Sequence, residues 1–132
     1  MTAEPYQAAR AHIVRRGQVL LGWNADRSLW TTFGGKTELG ETPEETLVRE
    51  LREELGIRPT SLNRLDDRTR GWDGGAARIA VFAVSDWDGE LANLAPREHA
   101  TIGWFDAGQV AFLAMTEEAR REALWLLSTA AG

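Results

Sequence analysis

Short apolar stretches separated by polar or glycine-containing breaks fill the beginning of the chain, and this pattern predicts strands. Three stretches predict extended segments: Ala8 to Arg15, Gln18 to Trp23 and Leu29 to Phe33. Arg16-Gly17 is a turn signal between the first two, and the third runs into Gly34-Gly35. The chain is therefore expected to begin with strands that are joined by short connections.

The pattern becomes helical from Pro43 to Leu55, and signals at both ends of this segment support a helix. Thr42 is a favourable N-cap, proline fits the first helical position, and Glu45 completes a capping box with Thr42. Gly56 supplies the residue free to adopt positive φ that often follows a helix, and Pro59 blocks continuation. This segment is the strongest local prediction in the chain.

The rest of the chain repeats the order of strands followed by a helix. It contains predicted strands at Ser61 to Arg70, Ala77 to Trp87 and Ala100 to Phe105, and a predicted closing helix at Thr116 to Ala130. Gly71 to Gly75 is expected to form a turn, and leucines at 124, 126 and 127 give the closing helix an apolar side. This order predicts an α/β/α sandwich, with a mixed sheet between helices, in one domain over residues 1–132.

Composition narrows the range of functions. The chain has 132 residues, of which 43% are hydrophobic, and a formal net charge of -5. An acidic domain is a poor candidate for binding a nucleic-acid backbone, and no apolar run approaches the roughly 18 residues that span a bilayer. The absence of cysteine excludes thiolate metal sites and a cysteine nucleophile. Because the N-terminus lacks a signal-peptide pattern, we expect a cytoplasmic protein without nucleic-acid or membrane partners.

Acidic residues concentrate on the helix predicted at Pro43 to Leu55. Glu50, Glu53 and Glu54 are spaced so that they fall on one side of it. A separate apolar stripe comprises Leu47, Val48, Leu51 and Leu55. Like charges at this spacing destabilise a helix, and a divalent cation such as Mg²⁺ relieves the repulsion by taking carboxylate ligands. The alternative is a solvated helix whose glutamates pair with Arg49, and the helix alone leaves both interpretations open.

The wider segment from Gly35 to Ile57 favours the metal site. Its characteristic residues are Gly35, Glu41, Arg49-Glu50-Leu51, Glu53-Glu54 and Gly56-Ile57. This spacing resembles the Nudix hydrolase signature, G-x5-E-x7-R-E-U-x-E-E-x-G-U with U aliphatic, and every defined position matches. At average residue usage, a complete chance match has a probability below roughly one in a million. The resemblance implies a Nudix fold and a Mg²⁺-dependent hydrolase of pyrophosphate linkages, with Mn²⁺ able to substitute.

The same resemblance implies roles for residues of the signature. Three residues correspond to metal ligands: Glu50, Glu53 and Glu54. The Gly34 carbonyl is expected to face the same metal from a tight loop that glycine permits. Arg49 is expected to orient the carboxylates by charge-assisted hydrogen bonds, and Glu41 to be an outer or weak ligand. Together with Arg49, Glu53 and Glu54 form the part of the catalytic set that lies within the signature.

Residues outside the signature complete the predicted site. Many relatives draw a further acidic residue from a loop after the sheet, and Glu98 lies in that region. It is expected to be a metal ligand or the general base, with an exposed loop glutamate as the alternative. Lys36 is expected to meet a phosphate, with a solvated lysine as the alternative. Trp23 stands where relatives often carry arginine, so it either stacks on a base or leaves a phosphate contact missing. His99 is expected to be structural or solvated, and His12 is given no role.

The signature indicates the reaction class but not the substrate. The chain lacks the proline and the nearby tyrosine that mark the ADP-ribose and dinucleoside polyphosphate branches. What remains resembles the mutator-type nucleoside triphosphate pyrophosphohydrolases. This implies cleavage of a (d)NTP, oxidised dGTP among the candidates, to monophosphate and pyrophosphate by metal-activated water. ADP-ribose hydrolysis and a non-catalytic nucleotide-binding domain are the alternatives. The expected partner is a small nucleotide, and the expected assembly is a monomer or homodimer.

Tryptophan is abundant in this chain, which has six. Five are candidates for a base-stacking surface: Trp23, Trp30, Trp72, Trp87 and Trp104. For each of them, packing in the core is the alternative.

Overall fold

The computed structural model describes residues 6–129, with the side chains of Arg70 and Trp72 outside the description. Within this range, seven strands form one mixed sheet. The strands are β1 (Tyr6–Arg15), β2 (Gln18–Asn24), β3 (Leu29–Thr31), β4 (Phe33–Lys36), β5 (Arg58–Trp72), β6 (Gly75–Asp88) and β7 (Ile102–Phe105). The helices are α1 (Pro43–Leu55), α2 (Ala107–Val110) and α3 (Glu117–Thr129). The predicted α/β/α sandwich is confirmed, although the predicted helix end at Ala130 lies outside the described residues.

Strand β1 is the centre of the sheet. It pairs antiparallel with β2 and β4 and parallel with β6, and the main path of the sheet runs β3-β2-β1-β6-β5. Successive side chains on a strand point to opposite faces. Ala9, Ala11 and Ile13 therefore pack in the cluster that contains α1, whereas His12 reaches a residue of α3.

Each face of the sheet has its own apolar cluster. On one face, α1 buries Leu47, Leu51 and Leu55 completely, because their four-residue spacing keeps them in one row. Val48, which the sequence placed in this stripe, is 36% exposed, since the helix turns by about 100° between neighbouring residues. On the other face, α3 buries two small residues, Ala119 and Ala123, against the sheet. No helix in the described part of the chain is long and apolar enough to cross a membrane.

The caps of α1 form as the sequence predicts. The Thr42 hydroxyl accepts a hydrogen bond from the Glu45 backbone at 3.1 Å, and the Glu45 carboxylate accepts one from the Thr42 backbone at 2.9 Å. Gly56 adopts a left-handed conformation with φ 70°, and its N–H donates to the Arg52 carbonyl at 3.0 Å. These contacts determine where α1 ends and therefore where its last turn lies.

The expected tight loop at Gly34 is wrong. Residues 33–36 form β4, and Gly34 pairs with Arg10 of β1. Gly34 has a φ of 136°, and a Cβ atom there would lie 2.0 Å from the Ala9 carbonyl oxygen. Only glycine therefore allows the two backbones to approach each other this closely. The strand brings the Gly34 peptide to the end of α1.

Candidate active site

Glu54 is the buried acidic residue of α1. Its side chain is 3% exposed, and its Oε2 accepts a hydrogen bond from the Gly34 backbone N–H at 3.0 Å. The strand β4 and the last turn of α1 thus fix the position of this carboxylate. Its other oxygen, Oε1, lies 3.7 Å from Nε2 of His99.

The loop between β6 and β7 is fastened to the end of α1 by its backbone. The N–H of Leu94 donates to the Glu54 carbonyl at 2.8 Å, and the N–H of Ala92 donates to the Leu55 carbonyl at 3.1 Å. Further along the loop, Glu98 and His99 both donate their N–H groups to the carbonyl of residue 95. This turn places Glu98 and His99 beside Glu54, which is 44 residues away from Glu98 in the sequence.

Glu54, Glu98 and His99 form a cluster of potential metal ligands. One ligand atom from each lies within 4.8 Å of the others. The His99 ring is buried, so it is structural or a ligand but not solvated, and its Nδ1 has no hydrogen-bond partner among the described residues. Gly22 makes room for this ring, because a Cβ atom there would lie 2.3 Å from His99 Nδ1.

The two carboxylates of this cluster repel each other. Partial burial of the carboxyl group and then the neighbouring Glu54 charge raise the pKa of Glu98 above its usual value. Carboxylate oxygens at this spacing, with no arginine hydrogen-bonded to Glu54 or Glu98 among the described residues, suit a divalent cation that cancels the repulsion. The acidic cluster therefore fits a divalent metal site, as the family resemblance led us to expect.

A second group of charges surrounds Arg49. The guanidinium donates from Nε and Nη2 to the two oxygens of Glu41 at 2.8 and 2.9 Å. It also donates from Nη1 to Glu50 at 2.8 Å and from Nη2 to the Lys36 carbonyl at 3.0 Å. The hydrogen bond from Arg49 is the main cause that lowers the pKa of Glu41 to about 2. The pairing with Glu41 likewise raises the pKa of Arg49.

The three glutamates predicted on one side of α1 have different surroundings. Glu50 is bound by Arg49 and lies against Gly35, where an added Cβ atom would come within 2.6 Å of its carboxylate. The Glu53 side chain is 57% exposed and lies 3.7 Å from Arg49. Among the described residues, only Glu54 of the three joins the cluster with Glu98 and His99.

A pocket of about 400 Å³ opens from this cluster toward α3. Its walls include Glu54, Glu98 and His99 at one end, Trp30 on one side, Arg10 of β1 and Arg68 of β5. Arg10 of β1 donates to the Gly34 carbonyl at 3.1 Å, so that carbonyl contacts a guanidinium. Burial lowers the pKa of Arg10. The pocket is large enough for a nucleotide base, since small-molecule sites occupy roughly 300–1,000 Å³.

The two predicted substrate contacts, Lys36 and Trp23, do not line the pocket. Lys36 is exposed on β4, and neither it nor Trp23 is among the described residues that line the pocket. Trp23 packs edge-to-face on Trp30 at 5.4 Å, and among the described tryptophan side chains Trp30 is the one that lines the pocket. Trp87 and Trp104 stack on each other at 6.3 Å in the α1 cluster. The side chain of Trp72 lies outside the described part of the chain.

Sequence reasoning missed two residues of the site. Arg10 gave no signal, because one arginine in a predicted strand reads as a solvated residue. His99 was noticed only as a neighbour of Glu98, because its contact with Glu54 depends on how the loop docks. The buried Gly22 beside a run of apolar residues was the available hint that another side chain packs against β2.

Comparisons with known proteins agree with this geometry. A family model described as NUDIX domain matches residues 5–126. The 8-oxo-dGTP diphosphatase of Proteus vulgaris is 40% identical over 62 residues, covering 47% of this chain and 55% of that protein. The CTP pyrophosphohydrolase of Escherichia coli is 34% identical over 102 residues, covering 74% of this chain and 73% of that protein.

A solved structure gives the same result for the fold. The crystal structure of a MutT NUDIX hydrolase from Burkholderia pseudomallei matches with a TM-score of 0.78 at 28% identity. The match covers 93% of this chain and 98% of that one.

The predicted enzyme class, hydrolysis of phosphoric anhydride bonds, is the class for which the relatives above are named. The family model, the relatives and the complete signature together place this chain in the NUDIX domain family.

Proposed function

We propose that this chain is a Mg²⁺-dependent pyrophosphohydrolase that converts a (d)NTP to the monophosphate and pyrophosphate. The observation that carries the proposal is the cluster of Glu54, Glu98 and His99 at the end of a pocket of about 400 Å³. Relatives named for 8-oxo-dGTP and for CTP support a nucleotide substrate.

The residues that would hold the cation are Glu54 and Glu98. The family resemblance adds Glu50, Glu53 and the Gly34 carbonyl as further ligands. Mg²⁺ favours carboxylate oxygen together with substrate phosphate. When bound, it supplies charge neutralisation on the phosphate oxygens and lowers the pKa of the attacking water.

Individual side chains carry out proton transfer, ligand positioning and binding of the leaving phosphate. Glu98, which lines the pocket beside Glu54, accepts the proton of the attacking water. The water oxygen forms a bond to one phosphorus of the α,β-anhydride, the bridging P–O bond at that phosphorus breaks, and the monophosphate and pyrophosphate are released. Arg49 holds Glu41 and Glu50 in place, and Lys36 attracts the leaving pyrophosphate. No covalent enzyme intermediate is needed.

Hydrolysis of a nucleotide panel in ¹⁸O-labelled water tests this proposal. We expect monophosphate and pyrophosphate as products, one labelled oxygen on one product in the first turnover, and loss of activity with a chelator. Release of diphosphate and inorganic phosphate, or unlabelled product in a single turnover, would contradict the proposed reaction. Thermal unfolding with and without Mg²⁺ gives a readout apart from activity, because a cation that binds only the folded state raises Tm.

A further inference from the structure

A second polar network lies on the α3 face of the sheet and has no place in the reaction described above. Glu122 of α3 accepts from Nε of Arg68, in β5, at 3.0 Å. Its Oε1 is bound by Nη2 of the same arginine and lies 2.9 Å from Nε2 of His12. His12 is completely buried, and the Glu122 and Arg68 side chains are 10% and 12% exposed. Three elements thus hold one guanidinium in a fixed orientation.

The charges of this network favour that fixed orientation. Burial lowers the pKa of His12, so the ring is neutral at neutral pH and donates through Nε2–H. Burial alone would raise the pKa of Glu122, but hydrogen bonds from His12 and Arg68 lower it to about 2. Glu122 is therefore an ionised acceptor that holds Arg68 by a two-point contact.

Arg68 lines the same pocket as Glu54 and Glu98. A guanidinium is planar and carries five N–H donors, so its Nε–Nη2 edge binds Glu122 while its Nη1–Nη2 edge keeps two parallel donors. That second edge makes no hydrogen bond with any residue in the described part of the chain. The network therefore leaves a pair of oriented donors on an arginine that lines the pocket.

The sheet sets where these donors lie relative to the carboxylates. Arg10, whose guanidinium contacts the Gly34 carbonyl beside Glu54, pairs with Val81 on one side of β6. Arg68 pairs with Ile79 on the other side of β6. The backbones of the two arginines are therefore two strand spacings apart across the sheet, roughly 10 Å, and are offset by two residues, roughly 7 Å, along it. A nucleotide with its phosphates at the carboxylate end would extend its base toward Arg68.

We propose that Arg68 selects the substrate base by donating two parallel hydrogen bonds to adjacent acceptors, with Glu122 and His12 as positioning residues. This inference rests on the proposed function. Guanine offers adjacent acceptors at O6 and N7, and cytosine at O2 and N3. Along the hydrogen-bonding edges of adenine and thymine, donors alternate with acceptors, so these bases do not offer two adjacent acceptors. In 8-oxoguanine, N7 carries a hydrogen and is no longer an acceptor. The pocket is therefore specific for an unmodified guanine or a cytosine.

Steady-state kinetics with dGTP, dCTP, dATP, dTTP and 8-oxo-dGTP test this inference. We expect kcat/KM for dGTP or dCTP to exceed that for dATP about tenfold or more, the discrimination typical of a bidentate arginine. Arg68→Lys keeps a charge beside Glu122 but loses the paired donors, so this preference should fall to near unity. Arg121→Lys, at an exposed arginine next to Glu122 in the sequence, is the matched control and should keep the preference.

Analogues separate the two bases and need no variant. If guanine is bound, kcat/KM for 7-deaza-dGTP should be about tenfold lower than kcat/KM for dGTP, because the analogue lacks the N7 acceptor. If cytosine is bound, kcat/KM for 3-deaza-CTP should be lower than that for CTP by the same factor. Equal kcat/KM within both pairs overturns the inference even if Arg68→Lys fails to fold.

Binding of monophosphates without Mg²⁺ distinguishes this inference from the proposed function. Calorimetry should show tighter binding of dGMP or dCMP than of dAMP to the wild type, and the difference should vanish in Arg68→Lys. If that holds while no nucleotide is hydrolysed, base selection stands and the proposed reaction fails. If nucleotides are hydrolysed with one base preference in both proteins, the reaction stands and Arg68 has no selective role.

Glu122→Gln tests the positioning role of Glu122. This variant should reduce the base preference, whereas an equal fall in kcat/KM for all substrates would indicate a purely structural network.

Discussion

Two groups of carboxylates at the signature helix α1 differ in whether an arginine binds them. Around Arg49, Glu41 and Glu50 receive direct hydrogen bonds from a guanidinium, and that contact lowers the pKa of Glu41 to about 2. At the end of the same helix, Glu54 and Glu98 face each other, and burial together with the neighbouring charge raises the pKa of Glu98. The first group is neutralised within the chain. The second is left with the repulsion that a bound cation relieves.

This difference separates supporting residues from reacting ones. A carboxylate already paired with arginine gains little from a metal ion, whereas an unpaired buried carboxylate gains much. Substitutions in the Glu54 group should therefore affect turnover most, and substitution of Arg49 should act through the orientation of the carboxylates that it binds.

The largest effect is expected for Glu54→Gln. This substitution keeps the side-chain volume and an acceptor for the Gly34 N–H but removes the charge that a cation needs. Loss of a ligand should lower kcat by on the order of a thousandfold. The rate of pyrophosphate release and the far-UV circular dichroism together test this. Glu44→Gln, at an exposed position of the same helix, is the control and should retain activity. Near-native turnover of Glu54→Gln at saturating Mg²⁺ would refute the role of Glu54.

A smaller loss is expected for Glu98→Gln. Glu98 is exposed to the pocket on a loop, so its removal leaves the buried Glu54 contacts intact. Removing a general base should lower kcat by roughly a hundredfold. The pH profile of kcat should also change shape, because the group that accepts the proton is gone. An unchanged rate across the pH range would make Glu98 an ordinary loop residue.

The Arg49 group should respond more weakly still. Arg49→Lys keeps the positive charge but cannot bind both oxygens of Glu41 while also reaching Glu50. Groups that orient metal ligands typically contribute 10–100-fold, and we expect about tenfold here because the charge is kept. The apparent affinity for Mg²⁺, titrated by activity, should fall with it. If Arg49→Lys lost as much activity as Glu54→Gln, the division between the two groups would be wrong.

The parts of this molecule that follow from local sequence were predictable. The ends of α1 depend on Thr42, Glu45 and Gly56, which act within one helical turn, and the structure has them where the pattern indicated. The signature likewise gave the family without knowledge of the fold. Val48 shows the limit of periodicity, because it lies one residue from Leu47 yet turns away from the sheet.

The parts that depend on long-range packing were not predictable. His99 approaches Glu54 only because the loop before β7 docks on α1, and Gly34 is a strand residue only because β1 passes beside it. The network of His12, Arg68 and Glu122 joins residues from three distant elements, and His12 had no role in the sequence-based interpretation. A pattern in the sequence reports spacing along one element, and these contacts form between elements.

The smallest effect concerns Glu122, a carboxylate neutralised within the chain as Glu41 is, but on the opposite face of the sheet. Hydrogen bonds from His12 and Arg68 outweigh its burial and lower its folded-state pKa to about 2, below its usual value of 4.5. A lowered pKa means that the ionised group stabilises the fold above about pH 4.5, and that this stabilisation is lost as the pH falls toward 2. Between pH 7 and pH 4 the loss from Glu122 should be about 1 kcal/mol, and it should grow at lower pH. The lowered pKa of His12 acts in the same direction, because protonation of the buried ring also favours the unfolded state below about pH 6.5.

Urea unfolding at a series of pH values measures the combined effect of Glu122 and His12 on the free energy of unfolding. In Glu122→Gln the free energy of unfolding should be lower at pH 7 but should decline less toward acid pH than in the wild type. Glu117→Gln, at an exposed position of the same helix, should keep the wild-type slope. An acid slope in Glu122→Gln equal to that of the wild type would show that Glu122 is not held ionised by its partners, and the likeness between the Arg49 group and this network would then fail.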